Sequence, residues 1–189
     1  MDADVKGRVV ILAALLVAAC AAPGRVAASR LAGALEEGRA QVDQVTAIVL
    51  HDVHPLHGGQ VVYLAADGSG YCQMVSRLPS VAALAEKRYR LAVPADTMVR
   101  LRRLAAGHAA SPIPSSTVPG VPDASRPRIS VRLASGRSVD VSRWQRDQNA
   151  EFDDLYQALL AVVQAAATQK PLGQGAFDPN WTPDGFSGR

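Results

Sequence analysis

Residues 128–142 read RISVRLASGRSVDVS, and their alternation decides the fold. Ile129, Val131 and Leu133 occupy every second position, and Val139 and Val141 answer them beyond Ala134-Ser135-Gly136. Successive side chains of a strand point to opposite faces, so apolar residues spaced by two share one face. A three-residue loop pairs Val131 with Val139 and Ile129 with Val141, whereas a two-residue loop would set Val139 against Arg132. The hydrophobic register selects the longer loop, with Gly136 at the left-handed position that a residue without Cβ takes freely. A hairpin with one apolar face has to be covered by another layer.

The covering elements lie on either side. Downstream, Asn149 is a cap candidate, Glu151, Asp153 and Asp154 suit the positive end of a helix, and Phe152, Leu155, Leu159, Val162, Val163 and Ala166 form one stripe over 150–168. Upstream, Pro94 and Asp96 open a second helix, Met98, Leu101, Leu104 and Ala105 line its face, and Gly107 is expected to end it near 106. A proline-rich linker, 109–127, separates this helix from the hairpin. Before the helix, Tyr89, Leu91 and Val93 alternate with Glu86, Arg88 and Arg90, which reads as a half-buried strand. Gly59–Ala65 and Gly70–Val75 flank Asp67-Gly68, a favoured two-residue turn that would set Tyr63 against Cys72 and Val61 against Met74. TAIVLH, 46–51, is a further strand. Strands then a helix, twice over, give an α+β chain. The expected architecture is a two-layer sandwich, an antiparallel sheet with two amphipathic helices on one face.

The 189 residues suit one domain of ordinary size with extensions at both ends. Hydrophobic residues make up 48% and charged residues 20%, which excludes a disordered chain. The first extension is an export signal. Lys6 and Arg8 precede an apolar run from Val9 to Ala19, which matches a signal-peptide core of about 7–15 residues and is too short to span a bilayer. The run ends Val17-Ala18-Ala19-Cys20, which resembles the lipobox of bacterial lipoproteins. That resemblance implies cleavage after residue 19, lipidation of Cys20, and attachment to the envelope membrane through acyl chains. Ala21 rather than aspartate after the cysteine points to the outer membrane. Residues 1–19 are thus expected to be a signal peptide, 20–45 a lipid-anchored tether, 46–169 the domain and 170–189 a Pro/Gly-rich tail. Net charge is only +3, and an exported chain meets no nucleic acid, so that partner class is excluded.

Few residues invite chemistry. His51, His54 and His57 fall within seven residues and could converge on Zn²⁺ or Cu²⁺, with Asp52 as a hard ligand or outer support. Three-residue spacing opposes this if the strand continues through His54, because it sends His51 and His54 to opposite faces. Cys72 has no neighbouring base and reads as buried core. Asp67-Gly68-Ser69-Gly70 lacks the pattern of a nucleophile elbow or a calcium loop. Arg88, Arg90 and Arg132 would form a basic sheet face if they share one. No catalytic residue is assigned.

Gly120-Val121-Pro122-Asp123, the hairpin, Arg143-Trp144 and Phe152-Asp153-Asp154-Leu155-Tyr156 resemble a pattern in small uncharacterised bacterial proteins, often secreted or lipid-anchored. The element order also resembles emfourin, a protein inhibitor of thermolysin-type metalloproteases. The first resemblance covers 119–160, and neither places a role on a residue. The expected function is a non-enzymatic binding or interaction module on the bacterial envelope, with a protein, such as a protease, or an envelope polymer as ligand. The alternatives are a periplasmic metal-binding protein using the His51–His57 loop and a purely structural lipoprotein.

Overall fold

The computed structural model describes residues 44–78, 83–118, 123–144 and 146–186. The expected signal peptide, Cys20 and nearly all of the tether lie outside these residues, as do Pro119 to Pro122 of the linker. Strands β1 (Val45–His54), β2 (Gly58–Ala65), β3 (Ser69–Arg77) and β4 (Leu84–Ala92) lead into helix α1 (Ala95–Ala110). Strands β5 (Arg128–Leu133) and β6 (Ser138–Ser142) then lead into α2 (Ala150–Ala167), and a short β7 (Gly173–Ala176) follows. All seven strands form one antiparallel sheet in the order β6-β5-β1-β2-β3-β4-β7. The fold is α+β, with both helices on one face of the sheet.

The β5–β6 hairpin has the register its apolar residues require. Ile129 opposes Val141 and Val131 opposes Val139, with Gly136 at φ +83° in the three-residue loop. The β2–β3 hairpin differs from the sequence expectation by one residue. Tyr63 opposes Tyr71, and Cys72 opposes Val62. The loop is Ala66-Asp67-Gly68, closed by the Gly68 N–H on the Ala65 carbonyl at 3.0 Å, with Gly68 at φ +85°. A two-residue Asp-Gly turn of type I′ would put Asp67 at positive φ as well, whereas the longer loop places only the glycine there. Asp67 instead accepts the Ser69 N–H at 2.9 Å. The one-residue shift sends Cys72 to the helix face and leaves Tyr63 with Tyr71 on the opposite one.

The core lies between sheet and helices. Ile48 and Leu50 of β1, Val62 and Leu64 of β2, Ile129 and Val131 of β5, Leu101 of α1 and Leu159 of α2 are all fully buried there. Asn149 caps α2 by accepting the Phe152 N–H at 3.0 Å, and its own N–H donates to Asp153 at 3.1 Å. This reciprocal pair satisfies donors that a helix start leaves free. Helix α1 runs four residues past its expected end. Gly107 stays helical, and the added turn buries His108 and Ala109. Among the described residues no helix is long and apolar enough to cross a membrane.

The opposite face is covered too. Of the expected tail, 170–189, the described residues 170–186 contribute β7 at the β4 edge and then cross the sheet. Trp181 stands edge-on to Tyr63 and Tyr71, with ring centroids 5.9 and 6.2 Å apart, and Phe186 meets Tyr63 at 5.5 Å. The Tyr63 hydroxyl donates to the Trp181 carbonyl at 3.1 Å. At the other edge, the linker shields β6, since the Ser116 N–H donates to the Ser142 carbonyl at 2.8 Å. Edge strands left open invite further pairing.

Truncating the α2 stripe tests the packing. Phe152→Ala and Leu159→Ala should each lower unfolding free energy by about 2–5 kcal/mol in urea denaturation.

Candidate functional site

The histidines do not converge as a group. Strand β1 continues through His54, so His51 and His54 project from opposite faces. His54 and His57 stack at 4.8 Å between ring centroids, and His54 Nδ1 accepts the Leu56 N–H at 3.1 Å. The arrangement is a pair, with His51 apart. Among the described residues no three His, Cys, Asp or Glu side chains group closely enough to hold a metal ion.

Asp52, between those histidines, is the residue the fold singles out. The alternation that turns Ile48 and Leu50 toward the helices turns Asp52 the same way, and only 7% of it is exposed. Its carboxylate accepts the Tyr156 hydroxyl at 2.6 Å, the Gln60 amide at 2.7 Å and the Ser125 hydroxyl. These donors come from α2, β2 and the end of the linker, and all three are neutral. Tyr156 sits one turn beyond Phe152, and their rings stack at 5.9 Å. Trp144 follows β6 and is placed by Arg143. That arginine is buried, donates to the Pro114 and Asp147 carbonyls at 2.9 and 3.1 Å, and pairs with the Asp147 carboxylate at 2.7 Å. The Arg126 guanidinium lies 5.1 Å from the centre of the Trp144 ring. Asp52, Ser125, Trp144, Phe152, Asp153 and Tyr156 together line a cleft of 210 Å³.

Burial raises the Tyr156 phenol above its ordinary range, and the hydrogen bond to Asp52 and its negative charge add to the shift. The phenol therefore keeps its proton at neutral pH and acts as a fixed donor to the carboxylate. The sequence reading of Asp52 as a metal ligand or outer support does not reach this cluster. The signal for it in the sequence is the phase of Asp52 with Ile48 and Leu50, since a carboxylate in that row points inward and needs donors. Which residues supply them depends on contacts between positions up to 104 residues apart.

The basic face has a different outcome. Arg88, Arg90 and Arg132 do share one face of the sheet, but the C-terminal segment crosses it. Arg88 lies 4.5 Å over Trp181 and pairs with Glu86, Arg90 lies 5.8 Å over Tyr71, and Arg132 donates to the Phe186 carbonyl at 2.9 Å. Glu86, expected at the solvent side of β4, is buried beneath the segment and accepts the Asp178 N–H at 3.0 Å. A hollow of 490 Å³ remains beside Arg90, Arg132, Tyr71 and Phe186. Cys72 is buried as expected, and burial pushes its thiol up to about 12, so it carries no thiolate at neutral pH.

No family model, no curated protein and no solved structure matches the chain.

Two outcomes check this account. Tyr156→Phe leaves each oxygen of the buried Asp52 carboxylate with a single donor, and should cost about 1–3 kcal/mol of stability in denaturation. His108 is the other test. Burial lowers its imidazole below the ordinary 6.5, with Asp140 and Glu151 opposing the shift, and its Nδ1 accepts the Ile113 N–H at 3.2 Å. The folded chain binds this proton less readily than the unfolded one. Its contribution is therefore complete above pH 6.5 and falls as pH drops below that value. His108→Gln should flatten that acid-side loss in thermal melts between about pH 7 and 5.

Proposed function

We propose that this chain is a non-enzymatic binding module, carried on the bacterial outer membrane by a lipid on Cys20, with a protein or envelope polymer as its ligand. The cleft over Asp52 carries the binding half of this reading. Its polar groups are held rigidly by one another, and Tyr156 keeps its proton under the pull of burial and of Asp52. Groups fixed in this way suit recognition, where preorganisation adds affinity, better than proton transfer. Aromatic surface beside a few placed polar groups is the usual make-up of a ligand site. The anchoring half rests on the apolar run that ends at Val17-Ala18-Ala19-Cys20. The resemblance to emfourin makes a metalloprotease the first protein ligand to try.

The test is acyl labelling with fractionation, followed by crosslinking pull-down from intact envelopes. Wild type should label and sediment with membranes, and Cys20→Ser should lose the label. The anchored protein should crosslink to a defined envelope partner, and Trp144→Ala should weaken the capture. Normal labelling of Cys20→Ser would overturn the anchor. A metal-dependent or hydrolytic activity with no specific crosslink would overturn the binding module.

A further inference from the structure

The cleft over Asp52 combines a buried negative charge, aromatic walls and empty room. Asp52 has three neutral donors, and among the described residues no cation lies within ion-pair distance of it. An ionised carboxylate removed from water is compensated only in part by neutral hydrogen bonds, and a paired cation compensates it further. Three oxygen lone pairs are engaged by these donors, which leaves a carboxylate acceptor position. The 210 Å³ hollow is also bounded by Trp144, Phe152 and Tyr156. Ring faces attract a cation, most of all when water is excluded. Arg126 already exploits the Trp144 ring at 5.1 Å, yet it does not line the hollow. A second carboxylate, Asp153, lines the same space, although its main partner is the N–H of Asn149. The chain as a whole is positive, at +3, so this small negative hollow runs against the general charge.

We propose that the cleft receives an organic cation on an aliphatic stem, a lysine ammonium or arginine guanidinium presented by a protein partner. The stem packs along Trp144 and Phe152, and the charged head meets the free acceptor position of Asp52. This inference rests on the binding-module reading and gives its ligand a chemistry.

Calorimetric titration of the full chain in detergent micelles tests it. The probes are Nα-acetyl-lysine methylamide and Nα-acetyl-arginine methylamide, their neutral counterparts built on norleucine and citrulline, and putrescine. The cationic amino-acid probes should bind with at least about tenfold higher affinity than the neutral ones, the weight of one charge-assisted contact. Asp52→Asn should erase that preference. Trp144→Leu, which leaves the hydrogen bonds of Asp52 intact, should weaken both cationic probes severalfold through loss of the ring. Putrescine binding more tightly than the lysine probe would keep the cation site and assign it to free amines instead of a protein side chain. Equal binding of neutral and cationic probes, or an unchanged preference in both variants, would overturn the proposal. The two readings fail separately. A crosslinked partner with no cation preference sinks this inference alone, and cation binding with no envelope partner sinks the envelope module alone.

Discussion

Strand β1 is the constraint on which the rest depends. It is flanked by β2 on one side and β5 on the other, so it joins the first-half meander to the second-half hairpin. Its inward residues are Ile48, Leu50 and Asp52, in unbroken alternation. The first two are fully buried beneath the helices, and the third ends the same row as a carboxylate. A slip of one residue would expose both aliphatic side chains and turn Asp52 away from Tyr156. Core packing and the cleft therefore follow from one register. Apolar burial, at about 25 cal/mol per Å², holds that register, and the polar cluster uses a position that packing has already fixed.

The distribution of aromatic residues shows how the chain divides its roles. Only 5% of the sequence is Phe, Trp or Tyr, and the main core is built chiefly from Val, Ile, Leu and Ala. Tyr89 and Phe152 are the rings that core contains, and seven of the nine aromatics, Phe152 among them, gather at two places. Tyr63, Tyr71, Trp181 and Phe186 fasten the C-terminal segment to the second face of the sheet. Phe152 and Tyr156 stack at the cleft beside Trp144. At the first place the rings meet edge-on and take an arginine over Trp181, the geometries that their quadrupoles favour. The arginines that would otherwise make a basic surface there serve as fasteners for the segment. The second group lies beside the start of α2, where Ser125 at the end of the linker meets Asp52 of β1.

Much of the architecture was legible in the residues themselves. Period-two alternation marked the strands, the 3.6-residue stripe marked α2, and Asn149 marked its start. The register of the β5–β6 hairpin was legible because five apolar residues vote on it together. The β2–β3 hairpin was not, because apolar residues occur on both faces of those strands. Val61 and Tyr63 look as core-like as Val62 and Leu64, and periodicity cannot rank them. For Tyr63 the reason lies more than 100 residues away, in Trp181 and Phe186 of the segment that covers it. The end of α1 was misplaced for a related reason. Gly107 is a stop signal by local propensity, at a cost of about 1 kcal/mol relative to Ala, and burial of the following turn overrides it.

The sequence by itself determined the α+β class and the antiparallel sheet with two helices on one face, because these follow from local periodicity and from the need to cover apolar faces. Tertiary structure alone decided two things. It carried the C-terminal residues back to the sheet, and it drew Ser125 and Tyr156 onto Asp52. Each is a contact between residues distant in the chain. A chain encodes such contacts only through the sum of its packing, so no short stretch of residues displays them.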